Sequence, residues 1–137
     1  AAAGLDRLGR RDVGRGIAID VMLPAPAQGA VGIETRAADE ATTALINAIS
    51  HQPTMACVMA ERALLLALNA DCHSPLAALA EIDGKHLHLR AELFAADGSA
   101  HVEGETRGMT DDLGFAAQLA ADLLARAPAP VRALFGT

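Results

Sequence analysis

Tryptophan and tyrosine are missing from this 137-residue chain, and Phe occurs only three times. A core must therefore be assembled from Ala, Leu, Val and Ile, which the 52% hydrophobic content supplies. Lysine occurs once, as Lys85, and the formal net charge is −6. A nucleic-acid binder needs a basic face, so that class is excluded. Two cysteines, Cys57 and Cys72, do not make a disulfide framework, and no secretory signal pattern is present. No apolar run reaches the roughly 18 residues that a membrane span needs. Charged residues amount to 20%, many in alternating or helical patterns, which argues against disorder. No internal repeat is present. What remains is a soluble, acidic, cytoplasmic α/β or α+β protein, with room for one domain or for a small domain plus part of another. The opening Ala1-Ala2-Ala3-Gly4-Leu5 lacks an initiator methionine and an entry cap, so the chain is expected to start partway through a longer protein.

Punctuation by Gly, Pro and Asp divides the chain. Residues 1–9 read as a helix end closed by Gly9, followed by a polar connection. The β-branched stretches 17–23 and 30–34 predict two short strands joined by the hinge Pro24-Ala25-Pro26-Ala27-Gln28-Gly29. Asp39 predicts a helix to about Ile49, and Pro53 a second to about Leu68. In the second, Met55, Val58, Met59, Arg62, Leu65 and Leu66 form one stripe. From Pro75 the period becomes two, and Asp83-Gly84 and Asp97-Gly98 signal hairpins between strands at 75–82, 85–95 and 100–108. Leu87, Leu89, Ala91 and Leu93 then share one face, and His88, Arg90 and Glu92 the other. A two-residue Asp97-Gly98 turn sets Arg90 opposite Glu105 and Glu92 opposite Glu103, the first pair favourable, the second mildly not. A helix from Asp112 to Arg126 buries Leu113, Ala116, Leu119, Ala120 and Leu123, with a last turn through Leu134. The fold class is α+β: a three-stranded antiparallel sheet covered by helices, preceded by partial α/β segments.

Four features bear on chemistry. Cys72, in Asp71-Cys72-His73-Ser74-Pro75, lies on a loop, where its thiol can be a nucleophile, an attachment point or simply a half-buried loop residue. Cys57 reads as core. His86 and His88 share a strand face, but His101 falls roughly 20 Å from His88, so no metal site is expected. Arg7, Arg10, Arg11 and Arg15 can hold anionic groups through guanidinium forks, or be solvated. Glu61-Arg62 reads as an ion pair anchoring its helix, and no acid–base carboxylate pair stands out.

Three ordered segments resemble the hydroxymethylbilane synthase (porphobilinogen deaminase) family. Glu61-Arg62-Ala63-Leu64, Leu68, Cys72 and Pro75-Leu76-Ala77 follow its cofactor-attachment signature, departing from it at Ala70, Asp71 and Ser74. Ala3 to Gly9 and Leu23 to Glu34 are similar to two further segments, with Ala27 standing where glycine is common. The resemblance implies a three-domain enzyme, with 1–29 finishing the second domain, 30–50 returning to the first, and 51–137 forming the C-terminal cofactor-attachment domain. It implies that Cys72 carries a dipyrromethane primer through a thioether. Onto this primer four porphobilinogen units condense with loss of ammonia, giving hydroxymethylbilane for tetrapyrrole and heme biosynthesis. Arg7 matches a carboxylate-binding arginine and Gln28 a residue of the interdomain cleft. The catalytic aspartate lies in the family's N-terminal half, so no catalytic residue is assigned here, and this chain alone is expected to be inactive. The full-length enzyme is expected to be a monomer without membrane or nucleic-acid partners. The alternative is a non-catalytic interaction module with an unmodified Cys72.

Overall fold

Two tight turns fold three strands into one antiparallel sheet in a computed structural model that describes residues 2–135. The strands are β1 (Leu76–Asp83), β2 (His86–Phe94) and β3 (His101–Met109), in the order β1-β2-β3. The helices are α1 (Ala2–Arg7), α2 (Glu40–Ala48), α3 (Gln52–Ala67), α4 (Gly114–Arg126) and the single turn α5 (Ala129–Arg132). The fold is thus α+β, as expected. Ala1, first residue of the helix expected at 1–9, lies outside the described residues, as do Gly136 and Thr137 at the end of the expected third domain.

The β2–β3 register has Arg90 opposite Glu105, Glu92 opposite Glu103 and Phe94 opposite His101, as expected, but the loop is the four residues 96–99 rather than two, closed by the Ala95 N–H on the Ala100 carbonyl at 2.8 Å. The first hairpin turns one residue later than expected. Asp83 pairs with His86, leaving Gly84-Lys85 as the loop. Gly84 has φ +61°, which suits the first loop position of a type II′ turn. Arg90 also chooses different partners from the expected one. It binds Glu81 at 2.9 Å and Asp20 at 3.2 Å, while Glu105 takes His88 at 3.0 Å.

Helices α3 and α4 cover one face of the sheet. The core joins Ala60, Leu64 and Leu68 to Leu87, Leu89, Ala91 and Leu93, and to Phe115, Leu119 and Leu123. Helix α4 begins at Gly114, two residues after the expected start, and buries Phe115 where Leu113 was expected to be buried; Leu113 is half-buried at the cap. Phe115 fits because β3 carries Gly108 beneath it. A Cβ there would lie 1.8 Å from the ring.

The stripe expected on α3 is not its core face. Ala60, Glu61 and Leu64 are buried, whereas Met55, Met59 and Leu66 are exposed. Met55, Val58, Met59 and Arg62 instead face a groove of about 970 Å³, shared with Val31, Ile33, Ile46 and Ile49. Helix α3 is apolar on two sides, and the small Ala60 lets one side approach the sheet closely.

The strands expected at 17–23 and 30–34 do not form. A strand needs a ladder partner, and neither stretch joins the sheet among the described residues; the chain meets the β1 edge just past 17–23, through one backbone bond from the Ala78 N–H to the Pro24 carbonyl at 3.0 Å. Ile17, Val21, Val31 and Ile33 are accordingly exposed. The helices at both ends of residues 1–49 do form. Gly9 closes α1 at φ +67°, and the Asp39 carboxylate caps α2 by accepting the Thr42 N–H at 3.0 Å.

Candidate functional site

The loop bearing Cys72 is built by the end of α3. Leu68 is its C-cap, and the Ala70 N–H returns to the Leu65 carbonyl at 2.9 Å, closing the helix. Between them Asn69 takes the left-handed conformation at φ +51°. Asparagine tolerates that region better than most residues. The loop therefore gets its bend at Asn69.

The two further departures from the signature bind each other. The Ser74 hydroxyl accepts the Asp71 N–H at 2.9 Å and donates to the Asp71 carboxylate at 3.2 Å. That carboxylate also accepts the His73 N–H at 2.8 Å, and the Ser74 N–H closes the turn on the Asp71 carbonyl. The His73 N–H, followed by the Ser74 hydroxyl, holds the Asp71 carboxyl below its ordinary range. Beyond the turn, the Pro75 carbonyl accepts the Phe94 N–H at 2.9 Å, sewing the loop to β2.

Cys72 is exposed at the apex of this turn as a free thiol. His73 contributes its backbone to the turn and makes no hydrogen bond with Cys72, so no Cys–His pair is formed. Cys57 is half-buried against the core, as expected, and burial, then the nearby Glu61 and Glu81, push its thiol pKa up. Cys72 is thus the accessible sulfur.

Glu61 departs from expectation. It makes no ion pair with Arg62; it is 5% exposed and bonds two backbone amides, those of Ala27 and Ala80. An acidic residue on the same helical face as Ala60, Leu64 and Leu68 is the available sequence signal that the expected ion pair with Arg62 leaves unused.

Arg7 is exposed on α1. Arg10 and Arg11 are committed to Asp12 and Asp6, whereas Arg7 and Arg15 make no ion pair among the described residues. Gln28 is exposed on a turn whose Ala25 N–H it caps at 3.2 Å. No hydrogen bond joins Arg7, Gln28 and Cys72 to one another among the described residues. The histidines are scattered as the strand register requires: His88 on Glu105, His101 stacked on Phe94 at 6.2 Å, and His86 exposed.

Comparison with known proteins adds the wider frame. Residues 55–126 match the family model described as porphobilinogen deaminase, C-terminal domain. Residues 1–44 match porphobilinogen deaminase, dipyromethane cofactor binding domain. The chain belongs to the porphobilinogen deaminase family. It is 52% identical over its whole length to the porphobilinogen deaminase of Sphingopyxis alaskensis, spanning 43% of that protein. It is 45% identical to that of Paracoccus denitrificans, over 94% of this chain and 42% of the relative. It is 44% identical to that of Moorella thermoacetica, over 92% of this chain and 41% of the relative. The chain therefore spans less than half the length of these curated relatives.

Proposed function

We propose that this chain is the cofactor-bearing part of a cytoplasmic transferase that condenses porphobilinogen into hydroxymethylbilane for heme and other tetrapyrroles. The observation that carries the reading is the exposed thiol of Cys72, presented on a hydrogen-bonded turn within the residues matched by the C-terminal domain model. In this reading residues 1–29 close a second domain, 30–50 return to a first, and 51–137 form the third. The exposed apolar groove between residues 31–35, α2 and α3 supports that division, since such a face suits further chain packing over it.

The donor set suits a dipyrromethane. Cys72 is accessible for a thioether, and no disulfide competes for it. When bound, this group would supply the free pyrrole α-carbon to which the first porphobilinogen is joined, each later unit joining the terminal pyrrole of the one before. The acetate and propionate groups of the pyrroles need cationic forks. Arg7, exposed and free of an ion pair among the described residues, holds one such carboxylate, and Gln28 contributes a hydrogen bond to the bound pyrroles. Both lie in the stretch matched by the dipyromethane cofactor binding model. Acid–base work falls to a carboxylate outside this chain, so the 137 residues alone do not turn over porphobilinogen. The full-length protein is a monomer in this reading.

The test is turnover by the full-length protein. It should consume porphobilinogen with release of ammonia, and Cys72→Ala should abolish this while Cys57→Ala retains it. Full activity in Cys72→Ala would refute the assignment.

A further inference from the structure

A buried carboxylate is costly unless its oxygens are satisfied, and a well-packed apolar residue is often the more stable solution. Glu61 therefore calls for an explanation. Its Oε1 accepts the Ala80 N–H of β1 at 2.8 Å, and its Oε2 accepts the Ala27 N–H at 2.5 Å. These amides lie 19 and 34 residues away in sequence, on two segments that the resemblance assigns to different domains. The charge is met by hydrogen bonds from both, and no salt bridge involves Glu61 among the described residues.

Two further hydrogen bonds, and the burial of Leu23, tie the 20–28 segment to the sheet. The Ala78 N–H donates to the Pro24 carbonyl at 3.0 Å, Leu23 is buried, and Arg90 reaches Asp20 at 3.2 Å. The free edge of β1 is thus covered by the 20–28 segment. At the end of that segment Ala27 is held at φ +57°, where an L-residue is strained. Glu61 bonds the N–H of this strained residue, immediately before Gln28. On its other side it bonds the strand that begins four residues after Cys72.

We propose that Glu61 is a positioning residue. Its carboxylate fixes the 24–28 turn against β1 and so sets Gln28 relative to Cys72. The part played by Gln28 and Cys72 rests on the function proposed above; the clamp itself does not. A carboxylate is suited to the task because both of its oxygens accept. Glutamine offers one acceptor and one NH₂, which would meet an N–H head on.

Amide hydrogen exchange on the full-length protein, wild type and Glu61→Gln, tests the clamp. In the wild type the Ala27 amide should exchange far more slowly than those of its exposed neighbours Gly29 and Val31, whose N–H groups have no partner among the described residues. In Glu61→Gln protection at Ala27 or Ala80 should fall about tenfold or more, as expected for losing a charge-assisted hydrogen bond, while protection of β2 is kept. Steady-state kinetics should show KM for porphobilinogen rising several-fold, with kcat less affected and the Cys72 adduct mass unchanged. An Ala27 amide that exchanges at its neighbours' rate in the wild type overturns the clamp, and this requires no variant to fold. Retained protection in a folded Glu61→Gln overturns it too, and unaltered KM in that variant overturns the positioning of Gln28 by the clamp. An unmodified Cys72 in the wild type would refute the proposed function, while the exchange pattern still decides the clamp.

Discussion

Residues 2–50 and residues 51–135 use the same kinds of apolar side chain to opposite ends. In the first stretch Leu23 is the one buried residue among those described, and Leu8, Val21, Val31, Leu45 and Ile49 are each more than half exposed. In the second, Leu64, Leu87, Leu89, Leu93, Leu123 and Val131 are fully buried in one continuous core. The difference is the presence of a partner surface. Strands β1 to β3 pair with one another and are roofed by α3 and α4, whereas 17–23 and 30–34, though richer in β-branched residues than those strands, form no ladder among the described residues. A β-propensity describes how well a residue fits a pleated, half-buried surface, so it yields no strand where that surface is not supplied.

The contrast can be broken most sharply by paired truncations. Leu89→Ala should cost about 4 kcal/mol by urea unfolding, because it leaves a cavity between sheet and helices, and Leu45→Ala about 0.5 kcal/mol or less. Equal effects would mean that the two regions are not packed differently. Next in size is Gly108→Ala, whose Cβ would lie 1.8 Å from the Phe115 ring. It should cost about 2–3 kcal/mol, and adding Phe115→Leu should recover part of this in a double-mutant cycle. Smaller still, and opposite in sign, is Ala27→Gly. Relieving φ +57° should stabilise the 24–28 turn by about 1 kcal/mol, provided that the Glu61 hydrogen bond is kept. A destabilised Ala27→Gly would contradict the strain.

The smallest effect sharpens the comparison within the Cys72 loop. The Asp71 carboxyl is held below its ordinary value of 3.8 by the His73 N–H and then the Ser74 hydroxyl. A carboxyl depressed in the folded state contributes above its unfolded pKa, and that contribution is lost as the pH falls through the folded one. The His73 amide resonance should therefore be steady at neutral pH and titrate with a midpoint below 3.8. Ser74→Ala should move that midpoint upward. A midpoint that ignores Ser74 would show that the clasp does not form in solution.

Much of the C-terminal fold was legible because turn chemistry and period-two alternation agree. Asp97-Gly98 alone set the cross-strand register of Arg90, Glu92 and Phe94, though not the ion pairs that Arg90 makes. The packing of α4 was less legible, since a glycine such as Gly108 leaves no mark in a hydrophobic pattern, yet it makes the room for Phe115. Helix α3 misled because it is apolar on two sides. The methionine-rich side gave the stronger stripe, while the alanine side, able to approach closely, took the core. Cys72 could be located from the ordered residues around it. What could not be read was the Asn69 bend and the Asp71–Ser74 clasp, or that Glu61 reaches two distant amides. Both depend on backbone N–H directions, which a residue pattern does not encode.

The central claim is that Cys72 carries the pyrrole primer, and intact mass spectrometry of the full-length protein tests it most directly. The account predicts a mass above that of the polypeptide by two linked pyrrole units, localised to the peptide containing Cys72 and absent from Cys72→Ala. A free thiol at Cys72 in active full-length protein would contradict it.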